Sequence, residues 1–239
     1  MLGNIPIEHI LFLDIETVPL QASFDELNEV QRKLWLHKAS FLKKDENQTD
    51  EEFYSRAGIY AEFGKIVCIS CGFITTHKGE RQFRTKSFFN DDEQIILAEF
   101  AKLLNIHFSR YESLLCAHNG KEFDFPFIAR RMIINKIAIP FALDIASKKP
   151  WEVPHLDTME LWKFGDYKNY TPLNVLANVL GIESPKNDID GSMIHQIYWQ
   201  EKDLQRIAKY CTKDVITVAQ ILLWFKGLPY LNADEIILS

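Results

Sequence analysis

The sharpest change along the chain comes at Ile10-Leu11-Phe12-Leu13-Asp14-Ile15-Glu16-Thr17, an apolar run ending in two carboxylates two residues apart. Such a run reads as a β-strand. Its alternate side chains leave on opposite faces, so Asp14 and Glu16 share one face while Leu13 and Ile15 point into the core. Residues 23–40 then carry Phe24, Leu27, Val30, Leu34 and Trp35 near helical spacing, which predicts an amphipathic helix. The charged run 43–52 lacks apolar periodicity and reads as an exposed loop before another short helix. Residues 20–62 therefore form a helical insertion after the first strand, either a lid or substrate wall or a solvated elaboration of the core.

From Gly64 the pattern turns to β, with segments 65–75 and 81–89 separated by a hairpin turn. A helix is expected over 91–108 and a short buried strand over 113–117. A helix over 123–135 and a short strand over 153–157 follow, then a helix over 171–180 stopped at Gly181 and a long final helix over 204–225. The order begins β-β-β-α-β.

A chain of 239 residues with 47% hydrophobic content suits one α/β domain with insertions, and no linker or internal repeat divides it. No apolar stretch reaches the roughly 18 residues of a membrane-spanning helix, and the N-terminus lacks a secretory pattern, so the expected compartment is the cytoplasm. Cys68 and Cys71 lie on a predicted strand that sends their side chains to opposite faces. With Cys116 and Cys211 they read as buried, reduced thiols. The net charge of −6 argues against a broad basic surface that coats duplex nucleic acid. It does not exclude a nucleic-acid enzyme, because bound divalent ions reverse the sign of an acidic site.

Two carboxylates held as close as Asp14 and Glu16 repel each other, and a divalent cation relieves the repulsion; a solvated strand edge is the alternative. A second acid, Asp124, follows the Asn119-Gly120 turn at a helix start. Helix capping and presentation to a metal both fit that position. Tyr210 and Asp214 are four apart on the final helix, so a phenol and a carboxylate share one face. Asp157, after the short strand, either assists as a supporting group or caps the following helix. The pairs Arg130-Arg131 and Lys148-Lys149 read as solvated charge or as contacts to phosphates.

Together Phe12-Leu13-Asp14-Ile15-Glu16-Thr17, Asn119-Gly120-Lys121-Glu122-Phe123-Asp124 and Tyr210-Cys211-Thr212-Lys213-Asp214 resemble, in order and separation, the three motifs of the DEDDy branch of the 3′-5′ exonucleases. These are ribonuclease H-like enzymes. The Asn-x-x-x-Phe-Asp form is most similar to the exonuclease domain of family-B DNA polymerases, and 184–192 resembles a segment of small stand-alone bacterial relatives. The likeness runs from Ile10 to about Phe225 and leaves the 20–62 insertion uncovered. It implies a ribonuclease H-like mixed sheet flanked by helices, with the whole of 1–239 forming one exonuclease domain.

The resemblance further implies two divalent cations, Mg²⁺ or Mn²⁺, held by Asp14, Glu16, Asp124 and Asp214, with Tyr210 orienting the attacking water. Thr17, Asn119 and Phe123 become substrate contacts, although core packing serves equally for Phe123. The implied partner is the 3′ end of a single strand, DNA with RNA as the alternative, and the product a nucleoside 5′-monophosphate. A non-catalytic nucleic-acid-binding module is the competing class.

Overall fold

The computed structural model describes residues 2, 5–42, 48–166, 168–182 and 189–238. Its central strand is β1 (Ile10–Pro19), flanked by antiparallel β2 (Gly64–His77) and by parallel β4 (Leu114–Ala117). β3 (Glu80–Phe89) returns from β2 through Lys78-Gly79, both with positive φ, the backbone twist that a two-residue hairpin turn requires. At the edges, β5 (Leu156–Asp157) pairs in parallel with β4, and β6 (Ile236–Leu238) in parallel with β3. The result is a mixed six-stranded sheet in the order β5-β4-β1-β2-β3-β6.

Each face of β1 meets different helices. Leu11, Leu13 and Ile15 pack against α2 (Glu93–His107) and α3 (Asp124–Ile134) through Leu97, Phe100, Leu104, Ile128 and Met132. On the opposite face Ile10 and Phe12 meet Val215, Val218, Ala219 and Leu222 of α7 (Leu204–Phe225). Asp14 and Glu16 continue this second face, so the strand changes from oily to acidic beneath one helix.

A bulge interrupts the β1–β2 ladder next to these acids: Glu16 faces Cys68 and Thr17 faces Ile66, which leaves Val67 without a partner on β1. The Ile66 N–H donates instead to Glu93 Oε1 at 2.7 Å.

The predicted 23–40 helix is divided. A 3-10 turn at Phe24–Glu26 precedes α1 (Glu29–Ala39), because Asn28 and Gln31 form a reciprocal capping box that starts the helix there. Trp35 lies among Phe53, Tyr54, Tyr60 and Phe63, so the insertion has an aromatic core of its own. Its 3-10 helix Glu52–Ile59 brings Gly58 against the Val18 backbone, where a Cβ would come within 3.0 Å. Of the predicted 43–52 loop, residues 43–47 lie outside the described residues.

After β5 come α4 (Thr158–Lys163) and α5 (Leu173–Val179), the latter packed on α7, with Gly181 beyond it at φ +68. α6 (Ile194–Gln196) runs into a π-turn at Ile197–Glu201. This segment packs on Val18 at the end of β1, and His195 Nε2 donates to the Ala22 carbonyl at 3.0 Å. The 184–192 segment of the resemblance is described only from residue 189 onward. Among the described residues no helix is long and apolar enough to cross a membrane.

Candidate metal centre

Three elements deliver the predicted acids to one place. β1 supplies Asp14 and Glu16, the first turn of α3 supplies Asp124, and α7 supplies Asp214 with Tyr210 one turn earlier. The parallel β1 and β4 direct their C-terminal ends to the same side, where α/β sheets gather their sites. Gly120 makes the approach of α3 possible, since a Cβ there would lie 2.4 Å from the Ala117 Cβ.

Asp157 holds that turn. Its Oδ1 accepts from the backbone N–H groups of Asn119 (2.9 Å), Met159 (3.0 Å) and Glu160 (3.2 Å), and its Oδ2 from that of Lys121 (3.1 Å). It thus caps α4 and clamps the segment before Asp124 at once. Asn119, at φ +64, adopts a left-handed conformation that asparagine tolerates.

The electrostatics are those of an uncompensated acidic cluster. Burial, followed by the charges of Asp124 and Asp214, pushes the Asp14 carboxyl well above the usual range. Glu16 is raised by burial and then by Asp14 and Asp214. Burial also lifts Asp124 to about 7, against the opposing effect of backbone N–H groups, including that of Ile15, donating to its carboxylate. Asp214 rises to about 6 through burial, offset by the hydrogen bond from Tyr210 and by Lys213. Tyr210 itself is pushed upward by burial and by Asp214, Glu16 and Asp14, so its phenol keeps its proton at neutral pH. Among the described residues no lysine or arginine forms an ion pair with Asp14, Glu16 or Asp124.

Cys211, which its spacing marked only as a buried thiol, lies beneath this cluster. Its thiol donates to the Asp14 backbone carbonyl at 3.3 Å, and Asp14, Glu16 and Cys211 bring ligand atoms within 4.8 Å of one another. Burial keeps the thiol protonated. The oxygen-rich remainder suits a hard divalent cation, whose charge would remove the mutual repulsion of the carboxylates. Periodicity on α7 held the signal: Cys211 is three residues before Asp214 and belongs to the buried stripe of Ile207, Ala208 and Val215.

The predicted substrate contacts divide. Asn119 Oδ1 is buried without a hydrogen-bond partner, five residues before Asp124. Thr17 is half-buried just beyond the bulge. Phe123 is half-buried and leans on Phe127 with ring centres 5.3 Å apart, so part of its ring serves the core. Arg131 departs from both readings given above: it is buried and ion-paired with Glu93, because Glu93 and the Ala61 carbonyl accept from its guanidinium. Arg130 is exposed.

A family model described as RNase_H_2, of the RNase H superfamily, matches residues 56–226. The chain belongs to the RNase H superfamily. The match takes in Asp124, Tyr210 and Asp214 and begins after β1. Membership supports a metal-dependent nuclease acting on nucleic acid. No curated protein matches the chain.

Proposed function

We propose that this chain is a 3′-5′ exonuclease that hydrolyses the terminal phosphodiester of single-stranded DNA and releases nucleoside 5′-monophosphates. The observation that carries this reading is the convergence of Asp14, Glu16, Asp124 and Asp214 with Tyr210 hydrogen-bonded into them. The four carboxylates would hold two Mg²⁺ or Mn²⁺ ions, which supply Lewis acidity and an activated water when bound.

The chain's own groups do the positioning. Because burial and the surrounding acids raise the Tyr210 phenol, it donates to or orients a water and does not take its proton. Asn119 Oδ1 offers an unpaired acceptor to the 3′-hydroxyl of the terminal sugar. The Thr17 hydroxyl and the open part of the Phe123 ring complete a shallow seat for the last nucleotide. On this reading 1–239 acts as one exonuclease domain in the cytoplasm, with the 20–62 insertion as a wall beside the site.

The test is release of mononucleotides from a 3′-ended single-stranded DNA and its RNA counterpart, with Mg²⁺ or Mn²⁺ and with chelator. Metal-dependent laddering from the 3′ end, stronger on DNA and lost in Asp14→Ala, is expected. Binding without cleavage under either ion would overturn the reading in favour of a non-catalytic module.

A further inference from the structure

His118, one residue before Asn119, ties down both ends of the segment that follows β5. Its Nε2 donates to the Thr171 carbonyl at 2.8 Å, which leaves Nδ1 to accept from the Thr158 hydroxyl at 2.9 Å. Burial favours this neutral imidazole. Thr158 and Thr171 are therefore held by a single ring, and Asp157, just before Thr158, holds the Asn119 N–H. The base of the segment between them is fixed again by the Lys121–Glu160 ion pair at 2.7 Å and by Trp162, which stacks on Phe225 with the planes 6° apart.

On this anchored base two rings among the described residues stand in solvent. Phe164 is 76% exposed and Tyr170 65% exposed, and among the described residues neither has a ring partner. Phe164 also takes a left-handed backbone conformation, φ +44, which bulky side chains rarely adopt. The neighbouring acids are engaged: Glu160 by Lys121, and Asp166 by the Lys168 N–H and the Asn169 side chain. Lys163 and Lys168 thus accompany the rings as the segment's cations.

Building on the exonuclease reading, we propose that Phe164 and Tyr170, each with a lysine one or two positions before it, make a stacking loop for the nucleotides upstream of the terminal phosphodiester. Phe164 and Tyr170 receive bases, and Lys163 and Lys168 meet the phosphates between them. Unpaired rings next to lysines fit a single strand, whose bases have free faces, rather than a duplex, whose bases are stacked on each other. Both attachments of the loop fall on His118, the chain neighbour of Asn119, which ties the grip to the seat proposed for the last nucleotide.

The test compares Phe164→Asn, an exchange that left-handed backbone tolerates, and Tyr170→Ala, singly and together, on a dinucleotide and on a strand of about 12 nucleotides. For the long strand we expect KM to rise about tenfold per ring with kcat unchanged, the scale of one lost base stack. The anisotropy of a labelled strand, measured with Ca²⁺, should fall in parallel. Dinucleotide turnover should not change. A double variant with wild-type KM on the long strand overturns the loop while the exonuclease stands, as does equal loss on both substrates. A wild-type chain that releases no mononucleotide from either substrate overturns the exonuclease reading and the loop with it.

Discussion

Glu93 and the carboxylates around Asp14 are buried to similar depths, with Glu93 6%, Glu16 8% and Asp124 3% exposed, yet the chain treats them in opposite ways. Glu93 is fully answered. It accepts from the Arg131 guanidinium, the Asn135 side chain and the Ile66 N–H. Asp14, Glu16 and Asp124 have one another for neighbours, and their carboxyls rise accordingly. A buried charge that is paired and hydrogen-bonded maintains structure. Buried acids that repel each other are tolerated where something positive arrives from outside.

The contrast breaks most visibly through substitution. Asp14→Asn should reduce mononucleotide release by about a thousandfold or more, the scale of losing a principal electrostatic stabiliser. The same change should leave the metal-free protein as stable as before or more so, because one repelling charge has gone. Near-normal turnover in the folded variant would remove Asp14 from the site.

Arg131→Met should do the reverse and lower stability by about 3–5 kcal/mol, since Glu93 would be left buried and unpaired. Chemical denaturation measures it, and a loss under about 1 kcal/mol would mean that the pair contributes no more than a surface bridge.

Acidity and metal sharpen the comparison. Raised carboxyl values mean that the folded, metal-free protein binds protons the unfolded chain does not. The stability this brings is present below about pH 4. It is lost as pH rises through about 6 for Asp214 and about 7 for Asp124. Without metal, stability should therefore fall by a few kcal/mol between about pH 4 and 8, and Mg²⁺ or Mn²⁺ should restore it most strongly at the upper end. Thermal unfolding with and without chelator gives the answer. A metal effect as large at pH 4 as at pH 8 would contradict the assignment.

The smallest expected change is that of Tyr210→Phe. Removing the hydroxyl should slow turnover by up to about a hundredfold, the penalty for a misplaced reactant, while metal-induced stabilisation stays near wild type. Unchanged turnover across pH would take Tyr210 out of the mechanism.

Much of this was legible in the sequence because the strongest signals are periodic. Alternation placed Asp14 and Glu16 on one face of β1. The apolar stripe of α7 gave its ends as Leu204 and Phe225 and set Tyr210 above Asp214. The order of the three motifs anticipated that β1, α3 and α7 meet, although the roles of their residues rest on the reading proposed above. Legibility failed where partners are distant in the chain. β6 has only three residues and pairs with a strand about 150 positions earlier, so nothing local marks it. Local charge made Arg131 look like a neighbour of Arg130, when its position on α3 turns it to Glu93 on α2. Asp157 left two roles open, support of the site or a helix cap, because one carboxylate can serve several N–H groups; it caps α4 and also holds the turn before Asp124.

The bulge at Val67 joins the two kinds of buried charge. It withdraws the Ile66 N–H from β1 and hands it to Glu93, while the same irregularity sits opposite Glu16 and Thr17. Glu93, which lies outside the acidic cluster, thus braces the β2 backbone beside the strand that carries Asp14 and Glu16. Loss of Glu93 consequently reaches beyond its own ion pair, because it frees the Ile66 N–H on the strand beside Glu16 and Thr17.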